Sequence, residues 1–201
     1  MSFPCGNSFL LSKMDHNYII LSEPHVRFSI EELADGGQAR LDCVSSFYTF
    51  VFKDLDGHKF DVFKNRKCSD ALLIEANSRS CHPTIIEFKK TITQKNWSEI
   101  QLQIDGALSQ MEVILSMLGL KKEKPRVAVV FLNDKVERDE ATGYIRAHVA
   151  MEKHKKGEES ICSNKWEAST ISFEGYDNLS LLKFPSVEDD GWFVASYHGY
   201  A

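Results

Sequence analysis

The chain contains no C-x-x-C pair, no run of eighteen apolar residues and no Pro/Gly/Ser-rich linker, and each absence excludes a class. Its five cysteines (Cys5, Cys43, Cys68, Cys81, Cys162) are odd in number and scattered, against both a secreted disulfide scaffold and a structural zinc site. Without a long apolar run there is no membrane span, and Phe9-Leu10-Leu11 is too short for a signal-peptide core, so the expected location is the reducing cytoplasm. G-x-x-x-x-G-K-[ST], G-x-G-x-x-G and G-x-S-x-G are also missing, which removes the common nucleotide-binding and hydrolase motifs. No internal repeat or linker divides the 201 residues, so a single domain is expected, with a core over about 28–133 and a C-terminal elaboration over 134–201.

What is present is an ordinary folding composition, 43% hydrophobic and 26% charged, with its charge unevenly spread. The net charge of −5 argues mildly against nucleic-acid binding, because phosphate neutralisation drives that affinity. Residues 53–95, however, carry nine Lys/Arg against six Asp/Glu, whereas residues 157–201 carry two against eight. The basic middle suits a polyanion, and the acidic end suits a protein partner, a homodimer contact or internal masking of the basic face.

Local patterns give an order of elements. Ser29-Ile30-Glu31-Glu32-Leu33 before Gly36-Gly37 reads as a short capped helix, in which Glu31 and Glu32 are favoured first-turn acids. Ser45 to Lys53 and Lys59 to Lys64 read as a hairpin around Asp54-Leu55-Asp56-Gly57. A second strand pair is predicted from Asp70 to Glu75 and from Thr84 to Thr91, giving four strands before the long helix. That helix should run from Trp97 to Leu118, capped by Asn96 and stopped by Gly119. Val127 to Leu132 is apolar throughout, as in a strand buried on both faces. A charged helical stretch between Asp134 and Lys156 and two edge-type strands, Trp166 to Phe173 and Trp192 to Tyr197, complete the chain.

Chemistry concentrates in the second strand pair. Alternation puts Ile85, Glu87 and Lys89 on one face and Ile86 and Phe88 on the other. Antiparallel pairing brings Asp70 opposite Glu87 or Lys89, depending on register. Two carboxylates that close repel unless a cation sits between them, and a hard, oxygen-preferring ion such as Mg²⁺ or Mn²⁺ suits the donors. Cys68 and Cys81 beside this motif read as packing residues, and the scattered His58, His82, His148 and His154 as surface side chains with no zinc spacing.

The stretches Cys68-Ser69-Asp70-Ala71-Leu72-Leu73-Ile74-Glu75 and Thr84-Ile85-Ile86-Glu87-Phe88-Lys89-Lys90-Thr91 resemble the signature of the PD-(D/E)xK nuclease superfamily. The resemblance implies an α/β, restriction-endonuclease-like fold: a mixed β-sheet core flanked by helices, here with extra C-terminal strands. It implies Mg²⁺ or Mn²⁺ held by Asp70, Glu87 and the Phe88 carbonyl, with Lys89 as the catalytic lysine. On the long helix, Gln103 and Gln110 fall outside the polar stripe of Asp105, Ser109, Glu112 and Ser116. Packing against a neighbouring backbone is one account of them. The resemblance, particularly to the RecB-like branch, implies another, in which Gln103, or second to it Gln101, faces the active site. An upstream helix glutamate, Glu31 or Glu32, would complete the metal site on the same grounds. The implied function is hydrolysis of phosphodiester bonds in nucleic acid, DNA before RNA, with backbone contacts from Lys64, Arg66, Lys67, Lys90 and Lys95. The alternative is a catalytically idle scaffold of the same fold that binds nucleic acid or a protein.

Overall fold

A computed structural model describes residues 19–34, 37–53, 68–77, 80–135, 166 and 168–199. The strands are β1 (Ile19–Ser22), β2 (Arg27–Ala34), β3 (Gly37–Val44), β4 (Tyr48–Lys53), β5 (Ala71–Ala76) and β6 (Cys81–Ile92), then β7 (Arg126–Asp134), β8 (Thr170–Phe173), β9 (Tyr176–Pro185), β10 (Val187–Asp189) and β11 (Trp192–His198). One long helix, α1 (Gln94–Leu118), lies between β6 and β7. The chain is mixed α/β. Seven strands form a sheet in the order β1-β4-β5-β6-β7-β9-β8, and four form a second sheet in the order β10-β11-β3-β2.

The larger sheet is antiparallel from β1 to β6 and parallel from β6 through β7 to β9. Parallel neighbours need a crossover, and α1 supplies it between β6 and β7. Alternation on β6 then sorts the layers. Ile85 joins Trp97, Ile100, Ile104 and Met111 of α1 in one apolar cluster. Ile86 and Phe88 join Leu41, Phe193 and Tyr197 of the second sheet in another. The larger sheet is therefore covered on both faces, which is why β5 is buried at all six positions and β7 can be a nearly continuous apolar run.

Several sequence expectations change. Among the described residues helices do not flank both faces of the large sheet; α1 covers one and the four-stranded sheet covers the other. The helix expected from Ser29 to Leu33 is strand β2, paired antiparallel with β3 along its whole length. Its one fully buried side chain, Ile30, meets Leu41 across the ladder, while Leu33, at helical spacing from it, is exposed, so the stretch buries alternate rather than i,i+3 positions. Ala34 pairs with Gly37, so Gly37 begins a strand where Gly36-Gly37 was expected to stop a helix. Six described strands, not four, precede α1. Trp192–His198 is an interior strand rather than an edge one, lying between β10 and β3. β9 adjoins β7 in the main sheet, so the C-terminal strands build the core as well as extending it.

The α1 boundaries follow the predicted capping logic, shifted by one turn. Thr93, not Asn96, is the N-cap: its hydroxyl accepts from Asn96 N–H at 3.2 Å while Asn96 Oδ1 accepts from Thr93 N–H at 2.8 Å. Each satisfies a donor that the helix start leaves open. Gly119 ends the helix in the left-handed conformation at φ 66°, where only glycine avoids a Cβ penalty. The turn and second arm of the expected hairpin, Asp54 to Lys64, and the charged stretch beyond Lys135 lie outside the described residues. None of the described helices is long and apolar enough to cross a membrane.

Candidate active site

The β5–β6 register decides whether Asp70 meets Glu87 or Lys89. Ala71 pairs with Ile86, and Asp70, one step before β5, falls beside Glu87 rather than Lys89. Phe88 N–H donates to Asp70 Oδ2 at 2.7 Å, where a longer β5 would have offered a backbone carbonyl. In an antiparallel ladder the N–H and C=O of one residue face the same neighbour. The Phe88 carbonyl is thus directed past the end of β5, on the side where Asp70 stands, while its side chain lies in the apolar layer between the sheets.

Glu87 is fully buried, on the α1 face of the sheet, and Lys89 Nζ stands 2.6 Å from its Oε1. Burial, then the neighbouring Asp70 charge, push the Glu87 carboxyl up to about 8 against the opposing pull of Lys89. Burial works to lower the Lys89 ammonium, but Glu87 and Asp70 outweigh it and hold it above its ordinary value. Lys89 remains about a quarter exposed, so its charge reaches the rim of the site while Glu87 stays inside. Among the described residues no third acid, histidine or cysteine gathers with Asp70 and Glu87.

The helix closes this end of the sheet. Glu99, in its second turn, contributes to raising Lys89, which brings the start of α1 close to the ammonium. Gln103 follows Glu99 by one turn on the same side of the helix. It is half-buried, and its Oε1 is buried without a hydrogen-bond partner. Gln110 is buried and Gln101 half-buried, and Glu112 and Ser116 are exposed as their stripe predicts, joined there by Leu102.

Other candidates divide. Lys90 is exposed on β6. Lys95 lies in the first turn of α1, and Lys64, Arg66, Lys67, His58, His148 and His154 lie outside the described residues. His82, expected at the surface, is half-buried within β6 opposite Glu75, with its ring against Phe47 at 5.9 Å. Five residues of strand put it about 17 Å from Glu87. Glu31 and Glu32 sit on β2 in the second sheet rather than on a helix over the acids, Glu31 opposite Arg40. Cys68 and Cys81 are buried packing residues, as expected.

One polar cluster was missed by sequence reasoning. Glu75, fully buried on β5, accepts from Ser45 Oγ at 2.6 Å, from Tyr197 Oη at 2.7 Å and from Arg126 Nη2 at 3.1 Å. Arg126 also donates to Thr84 Oγ1 at 3.3 Å and to Tyr197 Oη. The available signal was a glutamate inside the apolar run Ala71–Ala76, which demands a partner without saying which. This cluster lies at the opposite end of β5 from Asp70 and is structural.

No protein-family model, no curated protein and no solved structure matches this chain.

Proposed function

We propose that the chain is a metal-dependent phosphodiesterase of the PD-(D/E)xK kind, acting on nucleic acid and on DNA in particular. The observation that carries this reading is the meeting of Asp70 and Glu87 beside Lys89 at the open end of β5, with burial and then the Asp70 charge holding Glu87 at about 8. The order of β4, β5, β6, α1 and β7, with β5–β6 antiparallel and β6–β7 parallel, supports the restriction-endonuclease-like core that the sequence resembles.

The donors fit a hard divalent ion. All are oxygens, two carboxylates and the Phe88 carbonyl, and Mg²⁺ ordinarily takes few protein ligands and keeps several waters. When bound, Mg²⁺ or Mn²⁺ would supply Lewis-acid stabilisation of charge developing on the scissile phosphate. Asp70 and Glu87 would hold that ion. Lys89, partly exposed beside Glu87, orients the attacking water and offsets negative charge as the phosphorus–oxygen bond breaks. The unpaired Gln103 carbonyl accepts a hydrogen bond from that water. Lys90, with Lys64, Arg66, Lys67 and Lys95, supplies backbone contacts to the strand.

A second reading, a scaffold that binds without cleaving, draws on the way the acids are already engaged: Asp70 with Phe88 N–H and Glu87 with Lys89. Calorimetric titration with Mn²⁺, followed by a cleavage assay on single-stranded DNA, duplex DNA and RNA, separates the two. Mn²⁺ binding with metal-dependent DNA cleavage supports the nuclease. Absence of Mn²⁺ binding to the folded chain removes it.

A further inference from the structure

Four strands form the sheet edges among the described residues, and three are protected in ordinary ways. β1 and β8 have four residues each and β10 has three, β8 carries a register shift, and β10 is acidic through Glu188 and Asp189. Short strands, bulges and charge are the devices by which sheets avoid pairing with other chains. β2 is neither short nor bulged: it is eight residues long, contains no proline, and pairs with β3 without a shift, and the charges it carries, Arg27, Glu31 and Glu32, are of both signs.

The unused side of β2 can be identified. Gly199 N–H donates to Val44 O, so the Val44 backbone faces β11. Alternation turns the backbones of Cys43, Leu41 and Ala39 towards β2, where they meet Phe28, Ile30 and Glu32. The N–H and C=O groups of Arg27, Ser29, Glu31 and Leu33 are left pointing outward along the edge. Their side chains share the outer face of the sheet, with Arg27 and Glu31 exposed and Leu33 73% exposed.

We propose that β2 is a self-pairing edge through which two copies of this chain join antiparallel, Arg27 of each opposite the partner's Glu31. A two-fold axis normal to the sheet keeps the outer faces continuous, so odd residues must meet odd residues. Three such registers lie near the middle of the strand. Centring on Glu31 sets like charges directly opposite, which destabilises an antiparallel pair. Centring on Ile30 sets Arg27 against Leu33 and Ser29 against Glu31, leaving both charges without a counter-charge across the contact. Centring on Ser29 sets Arg27 against Glu31 twice, and brings the Leu33 end of each strand to the exposed Val26 end of the other. Self-complementary charge therefore selects both the occupant and the register. The acidic β10 edge, by contrast, repels its own copy.

Sedimentation velocity of the full chain tests this. The wild type is expected to be a dimer at micromolar concentration. Within one copy Arg27 is exposed and opposite Val44, with Asp42 as its diagonal neighbour, and Glu31 is opposite Arg40, so each variant is compared only once circular dichroism shows it folded. Arg27→Glu places like charges at both intermolecular contacts and should weaken dimerisation by about 30-fold. The exchanged pair, Arg27→Glu with Glu31→Arg, should restore it. Amide exchange at Ser29 and Glu31 should become slower as wild-type concentration rises. A wild type that stays monomeric, a dimer indifferent to Arg27→Glu, or an exchanged pair that stays monomeric while folded by circular dichroism overturns the proposal.

Discussion

Tyr197 donates its hydroxyl to Glu75 Oε2 at 2.7 Å, joining the four-stranded sheet to the seven-stranded one across 122 positions of sequence. Arg126 reaches the same oxygen at 3.1 Å. Tyr197→Phe removes one donor and keeps the ring against Phe184, so unfolding in urea should show a loss of about 1–3 kcal/mol. Gly199→Ala should cost at least as much, because a Cβ there would overlap Glu75 Oε1. Metal affinity at the far end of β5 should not change in either variant. Wild-type stability in both would mean that the Glu75 cluster does not bind the sheets together.

Asp70→Asn keeps an oxygen to accept Phe88 N–H but removes the charge that helps to raise Glu87. Its thermal midpoint should equal or exceed that of the wild type, because one of two repelling carboxylates is gone. Mn²⁺ binding and cleavage should both be lost. A folded Asp70→Asn protein that cuts DNA at the wild-type rate would place the chemistry elsewhere.

Lys89→Met should separate binding from rate. The carboxylates and the Phe88 carbonyl remain, so Mn²⁺ should still bind. Cleavage should fall about 10²–10³-fold, the usual cost of removing one transition-state donor. Equal loss of metal affinity and rate would contradict the division of roles.

Gln103→Leu tests the helix. Leucine fits a half-buried position and favours the helix slightly, so stability should hold or rise. Cleavage should drop if the unpaired Oε1 serves the reaction. Gln110→Leu, about 10 Å farther along the helix, should leave cleavage intact. A dead Gln110 variant beside an active Gln103 variant would mean that the wrong end of α1 has been assigned to the site.

Alkaline stability should follow the buried thiols and Tyr197. Burial, then Glu123, lift the Cys81 thiol to about 11 despite Lys122. Burial followed by Asp42 raises Cys43 further, and burial followed by Glu75 raises the Tyr197 phenol despite Arg126. A folded-state value above the unfolded one stabilises fully below the unfolded value, and that stability is lost as pH rises through the folded one. Urea midpoints should therefore be flat near neutrality and decline from about pH 8.5 upward, where unfolded thiols begin to ionise. Cys81→Ala should make the decline shallower. An unchanged slope would show that Cys81 is not buried in solution.

Period-two alternation on β6 was enough to put Glu87 and Lys89 on one face and Ile86 and Phe88 on the other, and the pattern from Trp97 to Gly119 was enough to give α1 its buried side and its left-handed stop. These are local properties, fixed by side-chain direction within one element. The meeting of Asp70 with Glu87 rather than Lys89 needed the strand register, which the sequence left open by two residues. The second sheet was not legible: Ser29 to Leu33 carries helix-compatible acids, and only pairing with β3, backed by the parallel approach of β11, makes it a strand. Glu75 announced by its apolar neighbours that it must have a partner. Which partner it has depends on β7 and β11 crossing the same end of β5, and nothing local to any of the three strands encodes that meeting. Backbone direction and periodicity act over a few residues, whereas a buried charge is satisfied by whatever the completed layers bring within about 3 Å of it.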